Sequence, residues 1–281
     1  MISKKLEINE IQQISIEVLK FVTDICDKEN IKYFLAYGTL IGAVRHKGFI
    51  PWDDDVDILV PRNDYDRLIN YFYLNAEKLL PYRLFGPDTP NYPYMISRIG
   101  DVRYPIKVRN EKPYGLGVFI DVIPLDGLGN DYKDAIKVAR SAKRYSSLYF
   151  LSTRKSFSRD NTKSNIKLLL KFPAYLISKI LGKNYIKKKL YNLSKLYNYD
   201  DSKYITCVVW STYGQKEIYE RDSFAEAIKV KFERYYFNIP KDYDKILKGL
   251  YGDYMMLPEE EDRVAHHLYD VFMECNGKDY E

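Results

Sequence analysis

Cysteine, histidine and tryptophan are all scarce in this 281-residue chain, at three, three and two residues. Cys26, Cys207 and Cys275 are odd in number, far apart and in no Cys-x-x-Cys pair. That excludes a disulfide framework or a cysteine zinc site and points to a reducing compartment. No uncharged apolar run reaches the roughly 18–20 residues needed to cross a bilayer. The opening Met-Ile-Ser-Lys-Lys-Leu-Glu lacks the apolar stretch of a signal peptide. The expectation is a cytoplasmic protein. Acidic residues are missing from one stretch in particular. Between 154 and 189 there are 11 Lys or Arg and one acid, Asp160, whereas the rest holds 33 bases and 38 acids. An acidic body with one basic segment does not suit a protein that tracks nucleic acid along a face. It offers instead one surface attractive to anions. Lysines set among Leu168, Leu169, Phe172, Leu176 and Ile180 also suit a helix lying at the inner face of an anionic membrane. The alternative is helices that pack their apolar face on the core and leave their lysines in water.

Hydrophobic residues at 46% and charged residues at 30% describe a globular chain, with 28 Tyr against 13 Phe. Apolar residues at helical spacing predict a helix over 8–30, followed by a buried strand at 33–37. Gly38-Thr39 breaks that strand, and Thr39 is a candidate N-cap for a helical turn over 40–45. A strand at 56–60 should stop at Pro61, and Asn63 can cap a helix running to about 79. The region 81–113, rich in Pro, Tyr and Gly, offers only short strand-like pieces such as 94–99. A strand at 118–123 should end at Pro124, and Asp131 should open a helix to about 150. The basic segment reads as helical, interrupted at Pro173 and Gly182. Beyond it come a strand at 204–210, a hairpin of 228–232 with 235–239, and helices at 243–251 and 259–273. The fold class is α+β: a core sheet flanked by helices, a mainly helical insertion, and further helices near the C-terminus. The organisation is a catalytic core at 1–150, a basic helical segment at 151–200, and a segment at 201–281 that completes the site.

Chemistry concentrates at Trp52-Asp53-Asp54-Asp55-Val56-Asp57. Four Asp within five positions repel one another and are rarely buried without partners. If the extension holds back to Trp52, residues two apart share a face. Asp53, Asp55 and Asp57 would then project together and Asp54 away from them. Convergent oxygen ligands suit Mg²⁺ or Mn²⁺. Upstream, Gly38-Thr39 opens a helix carrying Arg45, and helix N-termini favour phosphate. Asp121 stands among apolar neighbours, where an unpaired carboxylate would be costly unless a cation or a base were near. Arg98 offers bidentate pairing to donor phosphates, or to a surplus Asp.

The blocks Tyr37-Gly38-Thr39-Leu40-Ile41-Gly42-Ala43-Val44-Arg45-His46, Pro51 through Ile58, and Phe119-Ile120-Asp121-Val122-Ile123-Pro124-Leu125-Asp126-Gly127 resemble the LicD family. The likeness resumes at Phe232-Glu233, Ile239-Pro240, Tyr251-Gly252-Asp253-Tyr254-Met255, Leu257-Pro258, Arg263 and His266; Arg234 departs from it, since Gly is expected there. The resemblance implies a nucleotidyltransferase-type core. It also implies transfer of phosphocholine from a CDP-choline-like donor to a sugar hydroxyl, as on a teichoic acid or lipopolysaccharide, at times on a lipid carrier. Under it Asp53, Asp55, Asp57 and Asp121 are metal candidates, and Asp55, Asp57 and Asp121 catalytic ones, Asp121 as base or further ligand. Gly38, Thr39, Arg45, Arg98, His46 and His266 are candidates for the donor. Trp52, Tyr92, Tyr94 and Trp210 are candidates for an aromatic cage around choline, since quaternary ammonium groups bind on ring faces. Nucleotidyl transfer and a catalytically silent assembly role are the competing functions.

Overall fold

The computed structural model describes residues 2–157, 165–264 and 269–275. Elements follow one another as β1 (Ile2–Lys5), α1 (Ile8–Lys28), β2 (Phe34–Leu35), α2 (Tyr37–Ile41) with a π-helical turn (Gly42–His46), β3 (Asp57–Pro61), α3 (Arg62–Leu74), β4 (Tyr82–Phe85), β5 (Ser97–Val108) and β6 (Gly117–Gly127). Next come α4 (Tyr132–Thr153), α5 (Asn165–Leu181), α6 (Lys183–Ser194), β7 (Tyr204–Thr206), β8 (Tyr219–Glu220), β9 (Ala227–Phe232), β10 (Tyr235–Pro240), α7 (Tyr243–Tyr251) and β11 (Tyr269–Cys275). The class is α+β.

One mixed sheet runs β1-β11-β5-β6-β3-β2, with β4 also beside β5 and β7 carrying β8 onto β6. β6 is its axis, parallel to β3 and antiparallel to β5. All eleven of its residues are buried. A strand covered on both faces reads as a continuous apolar run, as 118–125 does apart from Asp121. Because side chains alternate, Ile58, Val60, Ile99, Ile120 and Val122 pack with α1, α3 and the β9–β10 hairpin. Leu59, Ile96, Phe119, Ile123 and Leu125 pack on the other face with residues of α4, α6 and the loops near β7. Asp57, Arg98 and Asp121 share that second face by strand parity.

Several boundaries differ from the sequence expectation, each for a physical reason. Helix 8–30, the 228–239 hairpin and helix 243–251 form as expected, and Asp131 caps α4 by accepting from the N–H groups of Lys133 and Asp134. Thr39 is not an N-cap. Ala36 holds that position, and the Thr39 hydroxyl accepts the Asp57 N–H at 3.0 Å, tying α2 to β3. Asn63 is no cap either; its amide donates to Asp200, and α3 ends at Leu74. Region 81–113 holds a twelve-residue strand rather than fragments. β6 continues through Pro124, which falls between the stretch paired with β5 (117–122) and that paired with β7 (126–127), where no N–H is required. β7 is only three residues long, so 207–210 is loop. Pro173 lies inside α5 without ending it.

The largest change concerns the helix expected at 259–273. Among the described residues of that stretch, a short 3-10 turn forms at Glu260–Asp262 and no α-helix. Residues 269–275 are a strand that bridges β1 and β5, pairing Tyr269 with Val108. Val271 is buried between partly buried Tyr269 and Met273, a period of two rather than 3.6.

Candidate active site

Neighbouring strands place Asp57 directly beside Asp121, and Asp121 directly beside Arg98. Arg98 Nε donates to Asp121 Oδ1 at 2.6 Å and its Nη2 to Oδ2 at 3.3 Å. Its guanidinium also lies between the rings of Tyr94 and Phe119, at 4.0 and 4.1 Å. Burial therefore falls on a paired, stacked cation rather than an isolated charge. Asp57 is in a harder position. Burial and the charges of Asp55, Asp121 and Asp53 push its carboxyl well above the usual range, with Arg98 pulling the other way.

The aspartate run is not extended back to Trp52, because β3 starts only at Asp57. Asp54 consequently does not point away from its neighbours. Carboxylate oxygens of Asp53, Asp54 and Asp55 all come within 4.8 Å of one another. The loop that carries them is pinned from both sides. Gln12 Nε2 donates to the Asp53 carbonyl at 2.8 Å, and the Tyr269 hydroxyl donates to the Asp54 carbonyl at 2.6 Å. Gly38 has a specific reason to be glycine: a Cβ there would stand 2.5 Å from Asp53 Oδ2. So α2 meets the aspartates through bare backbone. Clustered hard oxygens with mutual repulsion are a donor set that fits Mg²⁺ or Mn²⁺.

Asp55, Asp57 and Asp121 line a cavity of about 490 Å³. Tyr37, Tyr94, Phe150, Trp210, Tyr213 and Tyr269 line the same cavity, together with Glu111 and Arg154. Tyr94 and Trp210 meet edge to face with centroids 5.3 Å apart. The other candidates lie elsewhere. Arg45 is not among the cavity residues; it donates to the carbonyls of Tyr254 and Met256 at 2.6 and 3.2 Å and to His46 Nε2 at 2.9 Å. Tyr92 is buried behind the wall, its hydroxyl bonded to the Ile96 carbonyl. Trp52 packs on the core under Arg263. His266 is outside the described residues. The hairpin at Glu233-Arg234 has a clear structural part. Glu233 adopts φ +53° and accepts the Phe49 N–H at 3.0 Å, while Arg234 pairs with Glu17 of α1.

Comparison with known proteins places this arrangement. The model of the family described as "LicD/FKTN/FKRP, nucleotidyltransferase domain" matches residues 30–87, which contain Gly38 and all four clustered aspartates. The lipopolysaccharide cholinephosphotransferase LicD of Haemophilus influenzae is 31% identical over 273 residues, covering 96% of this chain and 99% of that protein. The chain belongs to the LicD family. More distant relatives share only part of it. An uncharacterised protein of Rickettsia typhi is 44% identical over 62 residues, 22% of this chain and 20% of its own. Human ribitol 5-phosphate transferase FKRP is 40% identical over 42 residues, 15% of this chain and 8% of its own.

In this LicD-family chain several cavity residues carry no signal in the sequence. Glu111 is buried, accepts from the Tyr94 hydroxyl at 2.5 Å and from Arg154 at 2.6 Å, and keeps its second oxygen without a hydrogen bond. It stands as one acid in a Pro- and Gly-rich stretch. Glu217 accepts from the Tyr37 hydroxyl at 2.9 Å and the Tyr213 N–H at 2.8 Å, and burial raises its carboxyl above the usual range. It buttresses two cavity tyrosines from behind. Tyr37 takes φ +46°, a left-handed conformation uncommon for an aromatic residue, at the entrance to α2.

Proposed function

We propose that this LicD-type transferase moves phosphocholine, or a similar phospho-alcohol, from a CDP-linked donor to a sugar hydroxyl of a surface glycan such as a teichoic acid. The observation that carries this reading is a single cavity lined both by the carboxylates of Asp55, Asp57 and Asp121 and by the rings of Tyr94, Phe150 and Trp210. The match to the Haemophilus cholinephosphotransferase along nearly its whole length supports the choice of group. The family match over 30–87 supports a nucleotidyltransferase-type core.

Asp53 and Asp55, with Asp54 close enough to join them, would hold Mg²⁺ or Mn²⁺, and Asp57, which feels the charges of Asp53 and Asp55, would complete the set. A bound divalent ion would supply charge neutralisation at the pyrophosphate. The chain's own residues do the rest. Arg98 spends three of its five N–H donors on Asp121 and on the Tyr114 hydroxyl, leaving two for a phosphate oxygen. Asp121 offers about four lone-pair positions, of which the two Arg98 bonds take half. It is held in place to accept the proton of the attacking hydroxyl. Trp210 would offer a ring face to a quaternary ammonium, whereas Tyr94 already carries the Arg98 guanidinium over its ring.

The test is incubation with CDP-choline, CDP-ribitol or CDP-glycerol and Mg²⁺, scoring CMP release and the label on the acceptor. CDP-choline should be turned over, with choline phosphate on the glycan and CMP free. Nucleotide on the acceptor would mean nucleotidyl transfer instead, and no metal-dependent release from any donor would overturn the reading. Asp121→Asn should bind CDP-choline yet fail to transfer; full activity removes Asp121 from the proton path.

A further inference from the structure

Helix α5 is amphipathic with its faces reversed. Lys171 and Tyr175 line the cavity, and Ser178 is fully buried. Lys179 is turned back as well, its Nζ donating to the carbonyls of Ser152 and Arg154 at 2.9 and 2.7 Å, beside the end of α4. The outward face is apolar. Leu169 is 74% exposed, Phe172 44%, Leu176 45%, Ile177 50% and Ile180 83%. At 3.6 residues per turn these five occupy about 140° of the helix circumference. A helix packed on a water-soluble body shows the opposite arrangement, with its apolar stripe on the core. The apolar stripe of α5 is therefore not packed on the core, although Lys171 and Lys179 are themselves exposed.

Charge selects the occupant of this face. From 165 to 199 the chain has eight lysines and no Asp or Glu. A second copy would set that basic stretch against its like, whereas a surface of anionic headgroups complements it. Exposed Tyr185 and Tyr191 on α6, each with a lysine ammonium over its ring, add amphipathic side chains suited to a headgroup layer. No helix among the described residues is long and apolar enough to cross a membrane, so the contact is superficial.

We propose that the outer face of α5 docks on an anionic lipid surface. The apolar stripe sinks into the headgroup boundary while the exposed lysines of α6, Lys183, Lys188 and Lys189, meet the anionic groups. Because Lys171 and Tyr175 of the same helix form the cavity wall, docking sets the cavity beside the lipid, where an acceptor carried on a lipid would be presented. The docking is independent of the transfer chemistry, and its test does not use activity as the readout.

The test is co-sedimentation of the full chain with phosphatidylglycerol-containing or pure phosphatidylcholine vesicles, at low and high salt. The wild type should pellet with anionic vesicles at low salt, weaken as salt rises, and stay in solution with phosphatidylcholine. Leu169→Glu and Ile180→Glu each remove one exposed side chain from the stripe, so each should weaken vesicle binding by about tenfold. Their melting temperatures should stay at the wild-type value, since neither residue is in the core. No wild-type binding to anionic vesicles at low salt overturns the proposal, as do glutamate variants that bind as well as wild type. So does a vesicle-free dimer that the same substitutions dissociate, which would assign the face to a second copy.

Discussion

Arg98 and Asp121 face each other across β5 and β6, and Asp57 stands next in the same row on β3. One guanidinium thus serves the only buried stretch where two carboxylates are strand neighbours among the described residues. Arg98→Met should leave Asp121 and Asp57 without that charge. Removing one partner of a buried pair costs about 3–5 kcal/mol. Urea unfolding should show a loss of that size, and Asp121→Asn in the same chain should restore part of it. An additive double variant would mean that the two residues do not act as a pair.

Asp55→Ala and Asp57→Ala should each abolish turnover while keeping the fold. Losing one group that stabilises the transition state costs on the order of 10²–10³ in rate. CMP release followed with and without EDTA checks this; equal activity in EDTA and in Mg²⁺ would refute a metal-dependent site.

Divalent cations should stabilise the protein even without substrate. Asp57 is held well above the usual carboxylate range by burial and by Asp55, Asp121 and Asp53, so a cation relieves a repulsion already present in the fold. Binding at a hundredfold excess over Kd contributes about 2.7 kcal/mol. Thermal melts with Mg²⁺, Mn²⁺ and EDTA should separate clearly for the wild type and converge for Asp55→Ala.

Gly38→Ala should act through Asp53. The added Cβ would fall 2.5 Å from Asp53 Oδ2, so the carboxylate must move. The expected result is weaker metal stabilisation in the same melts with little change in the metal-free melting temperature. Unchanged metal response would show that Asp53 is not needed in its present place.

His46 should make the protein acid-sensitive. Burial first, and then Arg45, lowers its pKa below 6.5. Its Nε2 accepts from Arg45 Nε, an arrangement that requires an unprotonated nitrogen. Below pH 6.5 the unfolded chain takes up a proton that the folded chain refuses, so this contribution is intact above 6.5 and is lost as pH falls towards the folded value. Melting temperatures from pH 7.5 down to 5 should fall less steeply for His46→Gln than for wild type.

Much of the active region was legible because its signals are local. The strands at 56–60 and 118–123, the hairpin and the helix at 243–251 follow from periodicity, and Gly38 with the aspartate run follows from unusual residue types at close spacing. What the sequence hid depends on long-range pairing. Tyr269, Val271 and Met273 show their alternation only once β5 and β1 lie alongside to receive it. The run 53–55 precedes β3 and belongs to no strand, so strand parity does not turn Asp54 away from its neighbours. Arg45 lies close in sequence to the phosphate-type turn, yet the carbonyls of Tyr254 and Met256 claim it. Arg98 could have gone either way on composition. Strand register sets it against Asp121, with two N–H donors left over.

The strand at 269–275 also sets an order of events during synthesis. Tyr269 lines the cavity and donates to the Asp54 carbonyl, and among the described residues its strand joins β1 to β5. A nascent chain that has delivered Asp53, Asp54, Asp55, Asp57, Asp121, Arg98 and Trp210 still lacks this fastening until residue 269 has left the ribosome. Partly made chains would therefore carry an open, loosely held acidic loop and no finished pocket. On the proposed function, competence for the reaction would arrive with the strand at 269–275.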